Sequence, residues 1–403
     1  MAWTSPKEWS GDELLTASDL NQYVSDNLSA LYALVQGGGR KNLLHNGAMQ
    51  VAQRGTSVTG ITSTTAYSGG TWTGGTGMFT ADRWLFAVGT LGTWTNSVES
   101  DAPTGSGFRK SYKVLITANA DTAPVDAGDY AYVQTTVEGQ NAQSIKKGTA
   151  SAEPLTLSFW TKSNKTGTYV AELVDADNNR HVAATYTVAS SGTWEQQTIT
   201  FPADLTGAFD NDNNYSLGVV FWLASGSTYS SGTLPTSWAA KTDANRAVGV
   251  TNLAETNNNS WQVTGCQLEI GSASTGFEFK GFEQELAECQ RYYQKSYAYG
   301  TVPGTGASPG IRMAKTHPST LTRHFILGPN LPVTMRATPN TTIYSEDGTV
   351  DRISIYNDSA TRLTVTTSNN GTSDSSLGTY LVTSNNGVAN EQYYFHYALS
   401  ADL

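Results

Sequence analysis

Residues 155–179 read LTLSFWTKSNKTGTYVAELVDADNN, and this stretch decides the fold. Leu155 to Thr161 and Thr168 to Val174 are runs of apolar and β-branched residues, the types that fit a pleated, half-buried surface. The polar Ser163 to Gly167 between them, and the cluster Asp175 to Asn179 after them, are turn chemistry. Asn and Asp side chains bond the backbone two residues on and so reverse the chain. Two strands and two turns fill the span and leave no place for a helix.

The same rhythm extends in both directions. Tyr112 to Thr117, Tyr130 to Val137, Trp194 to Phe201, Tyr215 to Leu223 and Trp261 to Ile270 are further strand runs, and Asp210 to Asn214 is a second Asx-rich turn. Seven such runs between Asn42 and Phe279 predict a two-sheet sandwich or jelly roll. Glu283 to Tyr293, with Leu286, Gln290 and Tyr293 on one helical face, is too short and polar for a core helix and reads as a connector. Strand patterns return at Thr322 to Leu327, Arg352 to Tyr356, Arg362 to Thr366, Tyr380 to Thr383 and Tyr393 to Leu399, which predicts a smaller C-terminal β domain.

Upstream, Thr16 or Ser18 caps a run from Asp19 to Gln36 free of Gly and Pro, and Gly37, Gly38 and Gly39 stop it. Val24, Leu28, Leu31 and Val35 are spaced as a coiled-coil seam with Asn21 at the preceding position, and Leu20 and Leu34 widen the stripe. Two heptads do not hold an isolated coiled coil, and the stripe could instead pack on its own domain. The glycine hinge favours self-association, since an apolar stripe detached from its neighbour needs a partner. The expected organisation is mainly β: an attachment and oligomerisation helix over residues 1–40, a sandwich over 41–279, a helical connector over 280–297 and a β domain over 298–403.

Of the 403 residues only 14% are charged, against roughly 25% in soluble domains. Small polar residues fill the gap, as suits short strands joined by many turns. A formal net charge of -10 repels phosphate backbones, which sets nucleic acid aside as a partner. Two cysteines, Cys266 in an apparent strand and Cys289 in an apparent helix, build no disulfide framework. No apolar run approaches the roughly 18 residues of a membrane helix and no signal-peptide pattern is seen, so the expectation is no membrane insertion and export, if any, as part of a particle released by lysis.

Several phrases together resemble a known family. The opening MAWTSPKEWSGDELLTASDLNQYVSDNLSAL resembles the virion-attachment leader of phage tail-fibre and minor structural proteins. NLLHNGAMQVAQRG (42–55), TADRWLF (80–86), QLEIGSASTGFEF (267–279) and ELAECQRYYQKSY (285–297) are similar to a recurrent phage tail-fibre module, and LPVTMRATP (331–339) resembles the start of its C-terminal continuation. LTLSFWTKSNKTGTYVAEL followed by SGTWEQQTITFP resembles carbohydrate-binding jelly rolls. The resemblance implies a homotrimeric tail-fibre or receptor-binding protein that is assembled in the host cytoplasm, docks on other virion proteins through its N-terminal segment and adheres to host surface polysaccharide. A capsid-attached head fibre and a tailspike-type glycan depolymerase are the alternatives. In TADRWLF, Trp84 and Phe86 should face one side and Arg83 and Leu85 the other, with Asp82 and Arg83 paired at the strand entrance in a structural role.

Catalysis finds little support. His45, His181, His317, His324 and His396 sit in no recognisable motif, and there is no G-x-S-x-G, H-E-x-x-H or CxxC. His324 and His396 read as ordinary strand residues. Glycoside cleavage needs only two carboxylates across a cleft, but Asp175 with Asp177, and Asp210 with Asp212, are explained by their turns. The expectation is a binder with no catalytic residues, no metal and no cofactor; a structural calcium at Asp175 to Asn179 is implied only by the jelly-roll resemblance. Sugar recognition needs aromatic faces against the pyranose, and the chain has 10 Trp and 20 Tyr. Trp160, Trp222 and Trp261 lie in strand runs and should be core. Trp72, Trp94, Tyr229 and Trp238 lie in Gly, Ser and Thr-rich segments and are the glycan-binding candidates, weighed against simple packing beneath a long loop.

Overall fold

In the computed structural model, the described residues are 14, 16–25, 41–62, 67–68, 71–72, 79–118, 125–315, 323–326, 330–355, 358–370, 372–377, 379–383 and 392–403. The strands up to residue 270 are β1 (Ser57–Ile61), β2 (Tyr67–Ser68), β3 (Thr71–Trp72), β4 (Leu85–Gly89), β5 (Thr93–Glu99), β6 (Ser111–Ala118), β7 (Tyr130–Glu138), β8 (Leu155–Ser163), β9 (Gly167–Asp175), β10 (Arg180–Val188), β11 (Glu195–Phe201), β12 (Tyr215–Ser225), β13 (Ala239–Ala240) and β14 (Ser260–Ile270). Two six-stranded sheets form, in the orders β1-β5-β6-β14-β8-β11 and β13-β10-β9-β12-β7-β4, with β2 and β3 as a separate pair. The strands called from sequence match the observed ones closely, and the two Asx turns fall where expected, Asp175 to Asn179 closing the β9–β10 hairpin.

Alternation explains the sandwich. On β9, Tyr169, Ala171 and Leu173 enter the central core while Val170 and Val174 join a second cluster on the opposite face. On β12, Leu217, Val219 and Phe221 point to the core and Val220 and Trp222 to that other face. Both faces of this sheet are buried, which is why β9 and β12 read as nearly continuous apolar runs. The core is aromatic: Phe159, Phe221 and Trp261 pack with ring centroids 4.9 and 5.4 Å apart.

The third sheet has the order β15-β22-β19-β20-β21-β17, with β16 and β18 also on β22. These strands are β15 (Tyr293–Lys295), β16 (Arg312–Lys315), β17 (Arg323–Ile326), β18 (Asn340–Tyr344), β19 (Arg352–Ile355), β20 (Asp358–Asn370), β21 (Thr379–Thr383) and β22 (Gln392–Ser400). The smaller C-terminal β unit expected from sequence is thus present, with its own core around Ile343, Ile353, Tyr393, Phe395 and Leu399. It starts earlier than residue 298, because Tyr293–Lys295 already pairs with β22.

The helix expected as a connector, observed as Phe282–Gln290, is held in the joint between the two units. His45 Nδ1 lies 2.8 Å from Glu288 Oε2, and Lys280 Nζ 2.7 Å from the same oxygen. Burial raises the Glu288 pKa, but hydrogen bonds and charge from His45 and Lys280 outweigh it and bring it to about 2. Beyond the helix, Arg291 grips Glu138 of β7 at 2.7 and 2.8 Å, and Tyr292 donates to the same carboxylate at 2.5 Å. Arg336 donates to the carbonyls of Ala401 and Asn213, tying the C-terminal unit to the Asp210–Asn214 turn.

The expected Asp82–Arg83 ion pair does not form. Asp82 accepts from Gln53 and faces Arg54, whereas Arg83, at φ +72°, turns its guanidinium the other way. It lies 3.5 Å over the Tyr292 ring and donates to Thr136. The phrases that carry the family resemblance thus supply the groups that lock this joint.

At the N-terminus Thr16 is the cap, in a capping box with Asp19. A short α-helix, Ala17–Asp19, runs on as a π-helical Leu20–Ser25, with Leu20 and Val24 exposed. Leu28, Leu31 and Val35 of the proposed seam lie outside the described residues. Among the described residues no helix is long and apolar enough to cross a membrane.

Candidate functional site

The outer face of the second sheet holds an aromatic ledge at the strand end where β7 begins and β12 finishes. Tyr130 and Tyr132, two apart on β7, project to this face because Ala131 and Val133 project to the core. Their rings stack at 5.5 Å and 28°. Trp222, paired with Tyr132 across the strands, lies 5.1 Å from it, and Tyr229 closes the group at 5.4 Å from Trp222 and 5.8 Å from Tyr130. Trp222 is fully buried, while Tyr130, Tyr132 and Tyr229 are partly exposed. Burial raises the pKa of each tyrosine, so each keeps a hydroxyl proton to donate.

Two glycines make room for the ledge. A Cβ on Gly89 would lie 2.5 Å from the Tyr130 ring, and one on Gly226 would lie 1.8 Å from the Asp126 carbonyl oxygen. The short helix Ser227–Ser230 can therefore press against the loop ending at Asp129, where Gly226 N donates to the Asp129 carbonyl at 2.8 Å.

Beneath the rings sits a buried polar base. Glu172 accepts from Trp222 Nε1 at 2.8 Å and from Arg246 at 3.0, 3.1 and 3.2 Å, and lies 2.8 Å from His181 Nδ1. Burial alone would raise the Glu172 pKa, but the Arg246 charge and the three donors hold it below the usual carboxylate value. Arg246 also lies 4.9 Å over the Trp222 ring. A rotating aromatic would lose its face to a ligand; this base removes that freedom from Trp222 and, through it, from the ring of Tyr229.

The other candidates fare differently. Trp94 is wholly buried, 5.3 Å from Phe86, and its indole donates to the Leu91 carbonyl; it is a core residue and not a presented one. Trp72 pairs with Tyr67 in the β2–β3 ribbon, which is not one of the sheets of the sandwich, and its side chain lies outside the description. Trp238 is half-buried against the sandwich core and fixed by a bond from its indole to the Pro202 carbonyl at 2.9 Å. Of the candidates with described side chains, Tyr229 joins the ledge. Of the expected core tryptophans, Trp261 is buried centrally, Trp160 is only half-buried and Trp222 serves the outer face. The sequence signal for Tyr130 and Tyr132 is their spacing of two within a strand run, which places both rings on one face.

The turn carboxylates are spoken for. Asp175 meets Lys147 Nζ at 2.5 Å, Asp177 accepts from the Asp210 amide at 3.0 Å and Asp212 from the Asn214 amide at 2.9 Å. Lys147 Nζ also reaches Asp204 at 3.0 Å and the Thr206 and Gly207 carbonyls at 2.9 and 2.7 Å, so an ammonium fills this oxygen cage. Elsewhere among the described residues, His45, Glu285 and Glu288 place ligating atoms within 4.8 Å of one another, but Lys280 already bonds Glu288 and Glu285 takes the Asn46 amide.

These features define a two-sheet β-sandwich protein with an aromatic ledge on one outer face and a smaller β unit locked behind it. No protein-family model and no curated protein matches the chain. Among solved structures it is similar to the enzymatically active domain of tailspike protein 4 of bacteriophage CBA120, at 13% identity over 47% of this chain and 19% of that one, with a TM-score of 0.27. The chain therefore spans about a fifth of that structure. It is also similar to the family 11 carbohydrate-binding module of Clostridium thermocellum in complex with a mixed-linked tetrasaccharide, at 13% identity over 47% and 89% of the two chains and a TM-score of 0.26. A CBM61 module in complex with β-1,4-galactotriose matches at 10% identity over 48% and 92%, with a TM-score of 0.25.

Proposed function

We propose that this chain is a glycan-binding fibre subunit of a bacteriophage particle, which adheres to host surface polysaccharide without cleaving it. The observation that carries the binding role is the ledge of Tyr130, Tyr132 and Tyr229, partly exposed and held from below by Trp222, Glu172 and Arg246. Such rings offer flat faces to the C–H side of a pyranose and hydroxyls to its oxygens. The virion assignment rests on the leader and module phrases, and the homotrimer on the apolar stripe that starts at Leu20 and Val24. Trimerisation would raise the effective concentration of three weak sites.

Tyr130→Ala with Tyr229→Ala is expected to weaken retention of the protein on host cells about tenfold, a loss near 1.4 kcal/mol. No new reducing ends should appear in the polysaccharide. Unchanged retention would remove the ledge from the binding role, and released oligosaccharide would make the protein an enzyme. Light scattering should give three times the chain mass for the full chain and a lower mass once residues 1–39 are removed. A monomeric full chain would end the trimer assignment.

A further inference from the structure

We infer that the ledge takes a neutral glycan and turns away polymers of uronic or sialic acids; this rests on the binding role proposed above. The charges around the rings carry the inference. No Lys or Arg occurs from Trp84 to Phe108, from Val114 to Ile145, or from His181 to Ala240. The strands β4, β7 and β12, the loop from Val125 to Asp129 and the turn from Gly226 to Tyr229 fall inside those stretches, and Lys165, in the β8–β9 turn at the same end of the sheet, is paired with Glu255 at 2.6 Å.

Among the described residues, Arg246 is the one cation placed against the rings, and its charge is already matched. Its Nε and Nη2 are bonded to Glu172, and its Nη1 lies 3.8 Å from Asp243. The next cation along the chain, Lys241, has its backbone at the opposite end of the sheet, where its amide donates to the Asn179 carbonyl. Acidic groups do stand at the rim. Asp243 is 60% exposed on its side chain and Asp126 is exposed, with Asp129 beneath it. A sugar carboxylate stacked on these tyrosines would shed water, gain no counter-charge and meet like charges. Sugar hydroxyls meet acceptors in the same carboxylates and donors in the tyrosine hydroxyls, so they are well matched.

The test is affinity electrophoresis of the full chain through gels carrying neutral polymers (mannan, galactan, β-glucan) or acidic ones (alginate, polysialic acid), at low and high salt. Retardation is expected in at least one neutral gel, about tenfold weaker for the Tyr130→Ala/Tyr229→Ala variant, and none in the acidic gels. The exposed-site variant Asp126→Lys/Asp243→Lys, which leaves the rings untouched, is expected to gain salt-sensitive retardation in alginate. Tyrosine-dependent retardation of the wild type by an acidic polymer would overturn the neutral class while leaving the binding role intact. Absence of tyrosine-dependent retardation in every gel would overturn both. Failure of the lysine variant to gain acidic binding would also count against the charge argument.

Discussion

Lys147→Met is expected to lower the unfolding free energy by about 3–5 kcal/mol, the range seen when one partner of a buried ion pair is removed. The ammonium is the hub of the cage: Asp175 at 2.5 Å, Asp204 at 3.0 Å and two backbone carbonyls, with side chains only 1%, 0% and 4% exposed. It also lies 5.2 and 5.3 Å from the Phe209 and Trp238 rings. Methionine fills much of the volume but leaves two buried carboxylates with Arg180 as their remaining cation, bonded to Asp204 at 2.8 Å. Adding Asp175→Asn and Asp204→Asn to the variant should return part of the loss, since the uncompensated charge and not the missing contact is the main cost. Urea unfolding followed by circular dichroism measures both. A Lys147→Met midpoint equal to wild type would show that the cage is not stabilised by its ammonium. Added Ca2+ should leave the wild-type midpoint unmoved at this cage, because the ammonium already occupies it.

The strands were legible where both faces of a sheet are covered or where alternation is clean, as in β8, β9, β12 and β14. They were less so where one face is Thr and Ser. Thr93–Glu99 reads as a polar loop, yet Trp94, Asn96 and Val98 are buried and Thr93, Thr95 and Glu99 are less so, which is a half-buried strand. Trp94 follows the same pattern: a tryptophan among Gly and Thr reads as a presented one, but alternation aims it at Phe86. Arg180–Val188 carries a weak strand signal for the same reason, although its backbone closes the hairpin that the Asp175–Asn179 turn begins.

The ledge was legible only in part because it is assembled by long-range pairing. Tyr229 stands out for its polar surroundings, but nothing near it in sequence reveals that it lands on Trp222 and Tyr130. Trp222 sits in an unbroken apolar run, where side-chain direction cannot be read without knowing that residues 229–250 cover the outer face. The Glu172 base was invisible for the same reason: an acid in VAELV looks like a lone polar residue at a strand surface, whereas its Arg246 partner is 74 residues away.

That partnership leads to the second large effect. Glu172→Gln is expected to cost about 3 kcal/mol, since the amide keeps the shape of the carboxylate but leaves the mostly buried Arg246 guanidinium uncompensated. Arg246→Met in the same chain should restore part of the loss, because the two residues are directly bonded and their effects do not add. The wild type should also show a matching pH dependence. The folded pKa of Glu172 lies below its unfolded value near 4.5, so its contribution is complete above about pH 4.5 and is lost as the pH falls through the folded value. Removing the carboxylate should flatten that part of the acid limb; an unchanged acid limb in Glu172→Gln would assign it to other groups, such as Glu288. Glycan retention should fall together with stability in Glu172→Gln, because one amide oxygen replaces the two carboxylate oxygens that Trp222, Arg246 and His181 share, which loosens the Trp222 ring on which Tyr229 rests. A stable Glu172→Gln protein with full retention would mean that the rings position themselves, and that the buried base serves some purpose other than holding the ledge.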